Sequence, residues 1–275
     1  MKGSTLVITL VIVALLLALA FEFVYTVQVQ TALLENFCDS QTAYSMASSG
    51  IRAATSLLLE RIAGNYTYLD TNTFKIRNPY ASKMGNIQDV KVTVEDESGK
   101  FNVNSIVSPS GNIDPEALNN FKKLLAFLEL RTEIVERIVE KNSYLDSVDE
   151  LLLVPGLDQE GFKKLKPYIT VYGDSLININ TADIPVLISI AGEMDEELAR
   201  RIKTFREKRP FTQTSDIMKV PGFESLGINL IGKITVKSKG LFLKSAAESN
   251  EIKKEIQAIV AFNDGIATVK YWRER

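Results

Sequence analysis

The chain of 275 residues carries 32 Lys and Arg against 34 Asp and Glu, a formal net charge of −2, and no histidine. That balance argues against a nucleic-acid surface, and the missing imidazole removes the commonest general base and metal ligand. The single cysteine, Cys38, excludes an internal disulfide, so the fold must stand on packing, with Cys38 expected as a small buried hydrophobe.

The N-terminus opens with an uncharged run from Ser4 to Phe21, close to the ~20 residues needed to cross a hydrocarbon core. Only Lys2 precedes it, which favours a cytoplasmic N-terminus with the rest of the chain on the far side. Three readings stay open on these residues alone. The run is a secretory signal cut after Ala18-Leu19-Ala20, or it is cut at Gly3 and retained as a helix, or it is an uncleaved anchor. Apolar residues continue at three- and four-residue steps through Val27, Leu34, Phe37, Tyr44, Ala47, Ile51, Ala54 and Leu58, without a proline before Pro79. This pattern predicts one helix from Ser4 to about Gly64, apolar in its first third and amphipathic afterwards.

Residues 64–85, with Asn78-Pro79, read as an irregular loop. Val90, Val92 and Val94 then alternate with polar residues, and Asp96, Ser98 and Gly99 lead to Phe101 and Val103, which predicts a β-hairpin. From Ile113 to about Gly232 the pattern is helical and duplicated. Asn102-Val103-Asn104-Ser105, with Pro109 beyond, matches Asn178-Ile179-Asn180-Thr181, with Pro185 beyond. Val154-Pro155-Gly156-Leu157 matches Val220-Pro221-Gly222-Phe223, and Tyr168-Ile169-Thr170-Val171 matches Lys233-Ile234-Thr235-Val236. Matching elements in one order imply a duplicated helical unit. After Lys239 alternation returns through Leu241, Leu243, Ile256, Ala258, Val260 and Phe262, with a turn at Asn263-Asp264-Gly265. Two strands before the helical block and three after it would form one sheet packed on the long helix.

The paired Val-Pro-Gly turns suggest helix-hairpin-helix units, which offer backbone N–H groups to phosphate. Asp158 and Glu224, standing just after the turns, would repel it, so the hairpins read as architectural. Glu193, Asp195, Glu196 and Glu197 open a helix that ends in Lys and Arg, and Ser147 with Glu150 has capping-box spacing. These carboxylates read as caps rather than catalysts. No phosphate loop, paired-cysteine metal spacing or nucleophile elbow is present, so no enzyme is expected.

Several of these features together resemble a known family. They are Gly3 before an uncharged helix, the A-x-x-M-A-x-x-G-x-x-A run from Ala43 to Ala53, Asn178-x-Asn180-Thr181-Ala182, the twin Val-Pro-Gly hairpins and the ending Tyr271-Trp272-Arg273-Glu274. The family is the minor pseudopilin K of type II secretion systems. The resemblance implies an α+β fold in which a pilin-like long N-terminal helix packs on a small antiparallel sheet, with a large all-α inserted domain of duplicated helix-hairpin-helix-like units. It implies a prepilin leader at 1–3, the long helix at 4–63 with 4–25 in the membrane, a pilin-like domain at 64–104 and 234–275, and the insert at 105–233. It further implies cleavage after Gly3 by the prepilin peptidase and methylation of Ser4 as the new terminus. The chain would be a single-pass protein of the cell inner membrane with its C-terminal domain in the periplasm. There it would assemble with minor pseudopilins I and J at the pseudopilus tip, alongside other secretion components. The fifth position of the processed chain, a docking glutamate in other pilin-like subunits, is Ile8 here. The missing charge suits a subunit with none above it. Some members bind Ca²⁺, which assigns no residue in this sequence. A type IV pilus minor pilin and an exported DNA-binding hairpin protein are the alternatives.

Overall fold

The computed structural model describes residues 2–62, 64, 66–69, 73–76, 89–108, 110–141, 144–263 and 265–275. Asn78-Pro79, Pro109 and Asp264 lie outside the described residues.

Helix α1 (Lys2–Ile62) is continuous over 61 residues, which at 1.5 Å per residue makes it ~90 Å long. It is the one helix among the described residues that is long and apolar enough to cross a membrane. From Leu6 through Cys38 every residue is exposed, because no other described residue covers the helix there. Cys38 is therefore exposed rather than buried, which corrects the reading from composition. The helix meets the rest of the fold one residue later, where Asp39 accepts hydrogen bonds from Ser249 Oγ at 2.9 Å and Asn250 Nδ2 at 2.7 Å. Beyond that point Ala43, Ala47, Ile51, Ala54 and Leu58 are buried, at steps of three and four.

These residues pack on a five-stranded antiparallel sheet built from β1 (Thr73–Ile76) and β2 (Val90–Asp96) before the helical block and three strands after it. The later strands are β7 (Gly240–Ser249), β8 (Ile252–Asn263) and β9 (Ile266–Glu274), and the spatial order is β1-β2-β7-β8-β9. The buried residues Val92, Val94, Leu241, Leu243, Ile256, Ala258 and Val260 line the helix side at every second position. Small residues on α1 let the helix lie close. A Cβ on Gly50 would stand 2.6 Å from Val90 Cγ1 and would also collide with Ser245 Oγ.

The predicted hairpin from Val90 to Val103 does not form. The chain leaves the sheet at Asp96, whose Oδ1 accepts from Ser98 N at 2.9 Å and caps a short 3-10 turn, and β7 occupies the position beside β2. The second early strand of the sheet is β1, inside the stretch read as an irregular loop. Phe101 and Asn102 instead form β3, paired in parallel with β4 (Ile169–Thr170).

That pairing closes the first repeat, which runs through α2 (Pro115–Phe127), α3 (Ile134–Lys141), a 3-10 turn at Val148–Leu153 and α4 (Gln159–Leu165). The second repeat is closed in the same way by β5 (Ile177–Asn178) and β6 (Ile234–Thr235), again parallel. Between them lie α5 (Ile184–Ile188), α6 (Glu196–Lys208), a 3-10 turn at Thr214–Lys219 and α7 (Leu226–Leu230). The opening and exit motifs legible in the sequence are thus the two rungs of one ladder in each unit. Each repeat has its own apolar core, the first around Phe121, Leu124, Leu151 and Leu165, the second around Ile179, Ile202, Phe211 and Phe223.

Candidate functional site

Gly3, Ser4 and Ile8 all lie in the first turns of α1. Ile8 is exposed within the apolar run, so that position presents only hydrocarbon. Among the described residues the structure groups Ile8 with no second site.

The hairpins can be judged as phosphate sites from their own hydrogen bonds. Gly156 and Gly222 have φ of +99° and +89°, a region that favours glycine, which explains the repeated Val-Pro-Gly. In the second hairpin Glu224 Oε1 already accepts from Gly222 N at 3.3 Å, and Arg201 Nη1 donates to Pro221 O at 3.0 Å. In the first, Asp158 Oδ1 accepts from Gly161 N at 2.7 Å. In each hairpin one amide near the turn is thus held by the chain's own carboxylate, at Gly222 and at Gly161. The capping box of Ser147 and Glu150 is present, and Asp195 caps α6 through Leu198 N at 2.8 Å.

A buried polar junction lies at a place that sequence reasoning missed. Asp96, at the end of β2, is buried. Its Oδ2 accepts from Asn178 Nδ2 at 2.8 Å, Thr181 Oγ1 at 2.6 Å and Ser238 Oγ at 2.5 Å. One carboxylate oxygen thus ties the last residue of a sheet strand to the opening of the second repeat and to the segment returning to β7. Burial pushes the Asp96 carboxyl above its ordinary value, against the pull of these donors. Its neighbour Glu97 receives the Thr170 hydroxyl from the exit of the first repeat and pairs with Lys100 at 2.7 Å. Burial works to lower the Lys100 ammonium, but Glu97 and Glu95 outweigh it and its affinity for a proton rises. Adjacent carboxylates therefore hold one repeat each. Asp and Glu after a strand read as turn formers, and no local signal marks them as partners of residues some eighty positions away.

The two repeats also meet directly. Lys123 on α2 donates to the carbonyls of Ala191 and Gly192, both at 2.8 Å, and to that of Met194. Asn120 Nδ2 donates to Ile190 O at 3.1 Å. Burial lowers the Lys123 pKa, and the ring of carbonyls supplies the acceptors that a desolvated ammonium needs. Among the described residues no group of three or more Cys, Asp or Glu could hold a metal ion, so no side chain is assigned to Ca²⁺.

A long N-terminal helix that becomes the spine of an antiparallel sheet, with a helical insert hung between two neighbouring strands, defines a pilin-like α+β fold whose helix is long and apolar enough to cross a membrane. The comparisons narrow the class. The family model for protein K of the type II secretion system matches residues 177–237, which span the second repeat from β5 past β6. The type II secretion system protein K of Pseudomonas aeruginosa is 25% identical over 258 residues, covering 79% of this chain and 76% of that protein. In fold, the chain matches one from the crystal structure of the GspK-GspI-GspJ complex of the enterotoxigenic Escherichia coli type 2 secretion system. That match has a TM-score of 0.66 at 19% identity, over 86% of this chain and 98% of the other. In sequence and in fold, the family this chain resembles is protein K of type II secretion.

Proposed function

We propose that this chain is a minor pseudopilin of a type II secretion system, acting in assembly and transport rather than in catalysis. The observation that carries the reading is the coincidence of two features in one chain. The likeness to protein K extends over 79% of the sequence, and α1 serves first as an apolar span and then, without a break, as the packing surface of the sheet. In this reading the apolar part of α1 sits in the inner membrane, and the sheet and repeats stand in the periplasm. Minor pseudopilins I and J are its partners at the tip of the pseudopilus, where it helps to initiate assembly for the export of folded proteins. The prepilin peptidase cuts after Gly3, and Ser4 becomes the methylated terminus. Ile8, with no carboxylate to be neutralised by a subunit above, suits a first position in the stack, and so does an insert too bulky for the body of a filament.

The test is the N-terminal residue of the mature protein. Ser4 is expected, and Gly3→Ala is expected to block processing and secretion together. A normally processed, fully secreting Gly3→Ala strain would overturn the reading. DNA binding is disfavoured by the carboxylates that occupy the hairpin amides.

A further inference from the structure

The sheet has a second face, away from α1, and there the first repeat covers the strands without filling the space above them. Phe242 alternates with the buried Leu241 and Leu243 and so lies on that face. The register sets it beside Glu95 on β2 and Ile259 on β8, and Ile259 in turn beside Tyr271 on β9. Ile259 is 6% exposed although it faces away from the helix. Pro167, Ile169 and Tyr172, at the exit of the first repeat, form the opposite wall, and a cleft of about 310 Å³ remains between the two.

The cations that line this cleft are not equally occupied. Lys100 Nζ is held by Glu97 at 2.7 Å and by Glu95 at 3.2 Å, and Lys166 Nζ by Asp149 at 2.6 Å. Arg275 continues the ladder beyond β9, its N–H donating to Glu255 O at 2.9 Å and its carbonyl accepting from Glu255 N at 3.1 Å. Tyr271, Arg273 and Arg275 thus alternate along one wall of the cleft. Arg273 Nη1 lies 3.8 Å from Asp149 Oδ2, beyond hydrogen-bond distance. Glu255 is engaged by Lys244 at 2.8 Å. Among the described residues the Arg275 guanidinium has no ion-pair partner and the Tyr271 hydroxyl no hydrogen bond.

We infer that this cleft binds a carboxylate borne on an aromatic or short aliphatic body. The body lies against Phe242, Ile259 and Tyr172, and the acid group is taken by the two guanidiniums and the Tyr271 hydroxyl, a donor set that matches carboxylate oxygens. Glu95 and Glu97, on the same cleft, disfavour a second negative charge. The volume is at the lower end of small-molecule sites, which run to about 300–1,000 Å³, and suits one ring with its acid. A free acid and the last residue of a polypeptide share this chemistry, and competition separates them.

The probe is para-fluorophenylacetate, titrated into the full-length chain in detergent micelles and read by fluorine NMR against protein-free micelles. Saturable broadening of the fluorine line is expected. Arg273→Gln combined with Arg275→Gln should weaken binding by roughly tenfold or more. Lys163→Gln combined with Lys164→Gln removes the same charge from the exposed side of α4 and should leave binding unchanged. The neutral para-fluorophenylacetamide should bind more weakly than the acid by a similar factor. Absence of saturation, equal binding of the amide, or an equal loss in the two double variants overturns the site. A peptide ending in phenylalanine that displaces the probe at lower concentration than phenylacetate does assigns the site to a polypeptide terminus, and displacement at no lower concentration assigns it to a free acid. Either of these supports the carboxylate site.

Discussion

Asn180 and Phe211 exchange two hydrogen bonds across 31 residues of sequence, Asn180 Nδ2 donating to Phe211 O at 2.9 Å and Phe211 N donating to Asn180 Oδ1 at 2.8 Å. Asn104 and Leu145 do the same in the first repeat, both at 2.9 Å. In each unit a second asparagine, Asn102 or Asn178, accepts the backbone N–H of the first at 3.0 Å. The repeated Asn-x-Asn is thus a clasp that fixes the opening of each unit to the segment before its 3-10 turn.

Asn180→Ala strands the buried N–H and C=O of Phe211 together. The expected cost is about 2–3 kcal/mol, read by chemical denaturation. Asn104→Ala should lose a comparable amount in the first repeat. A loss within experimental error in both variants would show that water replaces the clasp.

Asp96→Ala removes four hydrogen bonds at the junction and leaves Asn178, Thr181 and Ser238 without their common acceptor. The expected outcome is faster limited proteolysis around Ser238 and at the start of the second repeat, with the circular dichroism of the helices retained. Its pH dependence has a defined sign. Because burial raises the folded-state pKa, the folded state takes up a proton more readily than the unfolded one, so this group favours folding as pH falls through the raised value.

Asp216 has the opposite sign. Burial works against its charge, but the Lys219 ammonium at 2.6 Å and the hydrogen bonds from Thr212 and Gln213 prevail and hold it well below the usual carboxylate range. Its contribution is present above the unfolded value near 3.8 and lost as pH falls below it. Asp216→Asn should therefore destabilise the chain by about 1–3 kcal/mol at neutral pH, and the gap between variant and parent should close in acid.

Gly50→Val forces a side chain into Val90 and Ser245 and should separate α1 from the sheet, at a cost of about 1–3 kcal/mol or more. Ser245→Ala is expected to move stability the other way. The Ser245 hydroxyl is buried without a hydrogen-bond partner among the described residues, and removing it relieves a penalty of about 1 kcal/mol. Thermal unfolding of the two variants side by side checks both.

The long helix, the late strands and the duplication were legible in the sequence because each is written in a period: 3.6 residues along α1, two along β7 and β8, and a fixed order of motifs in the repeats. Val90 to Val103 was misread because alternation reports a strand but not its neighbour. Phe101 and Asn102 are extended as expected, yet they pair with Ile169 and Thr170 through a contact that no local pattern encodes. Cys38 was misplaced for a related reason, since periodicity marks the apolar face of α1 without saying where cover begins. The Asp96 and Glu97 junction was invisible because its meaning depends on Asn178, Thr181, Ser238 and Thr170, all distant in sequence and brought together only by the ladders.

The repeats leave the sheet at Asp96 and return through Gly240 to Leu241, and Asp96 and Leu241 are partners in the same ladder. Mechanically, the insert is thus attached in parallel with the sheet and not in series. Tension applied along α1 passes as shear between α1 and strands β2, β7 and β8, and both ends of the insert move together. A force along α1 would therefore load the sheet without drawing the helical repeats out like a spring.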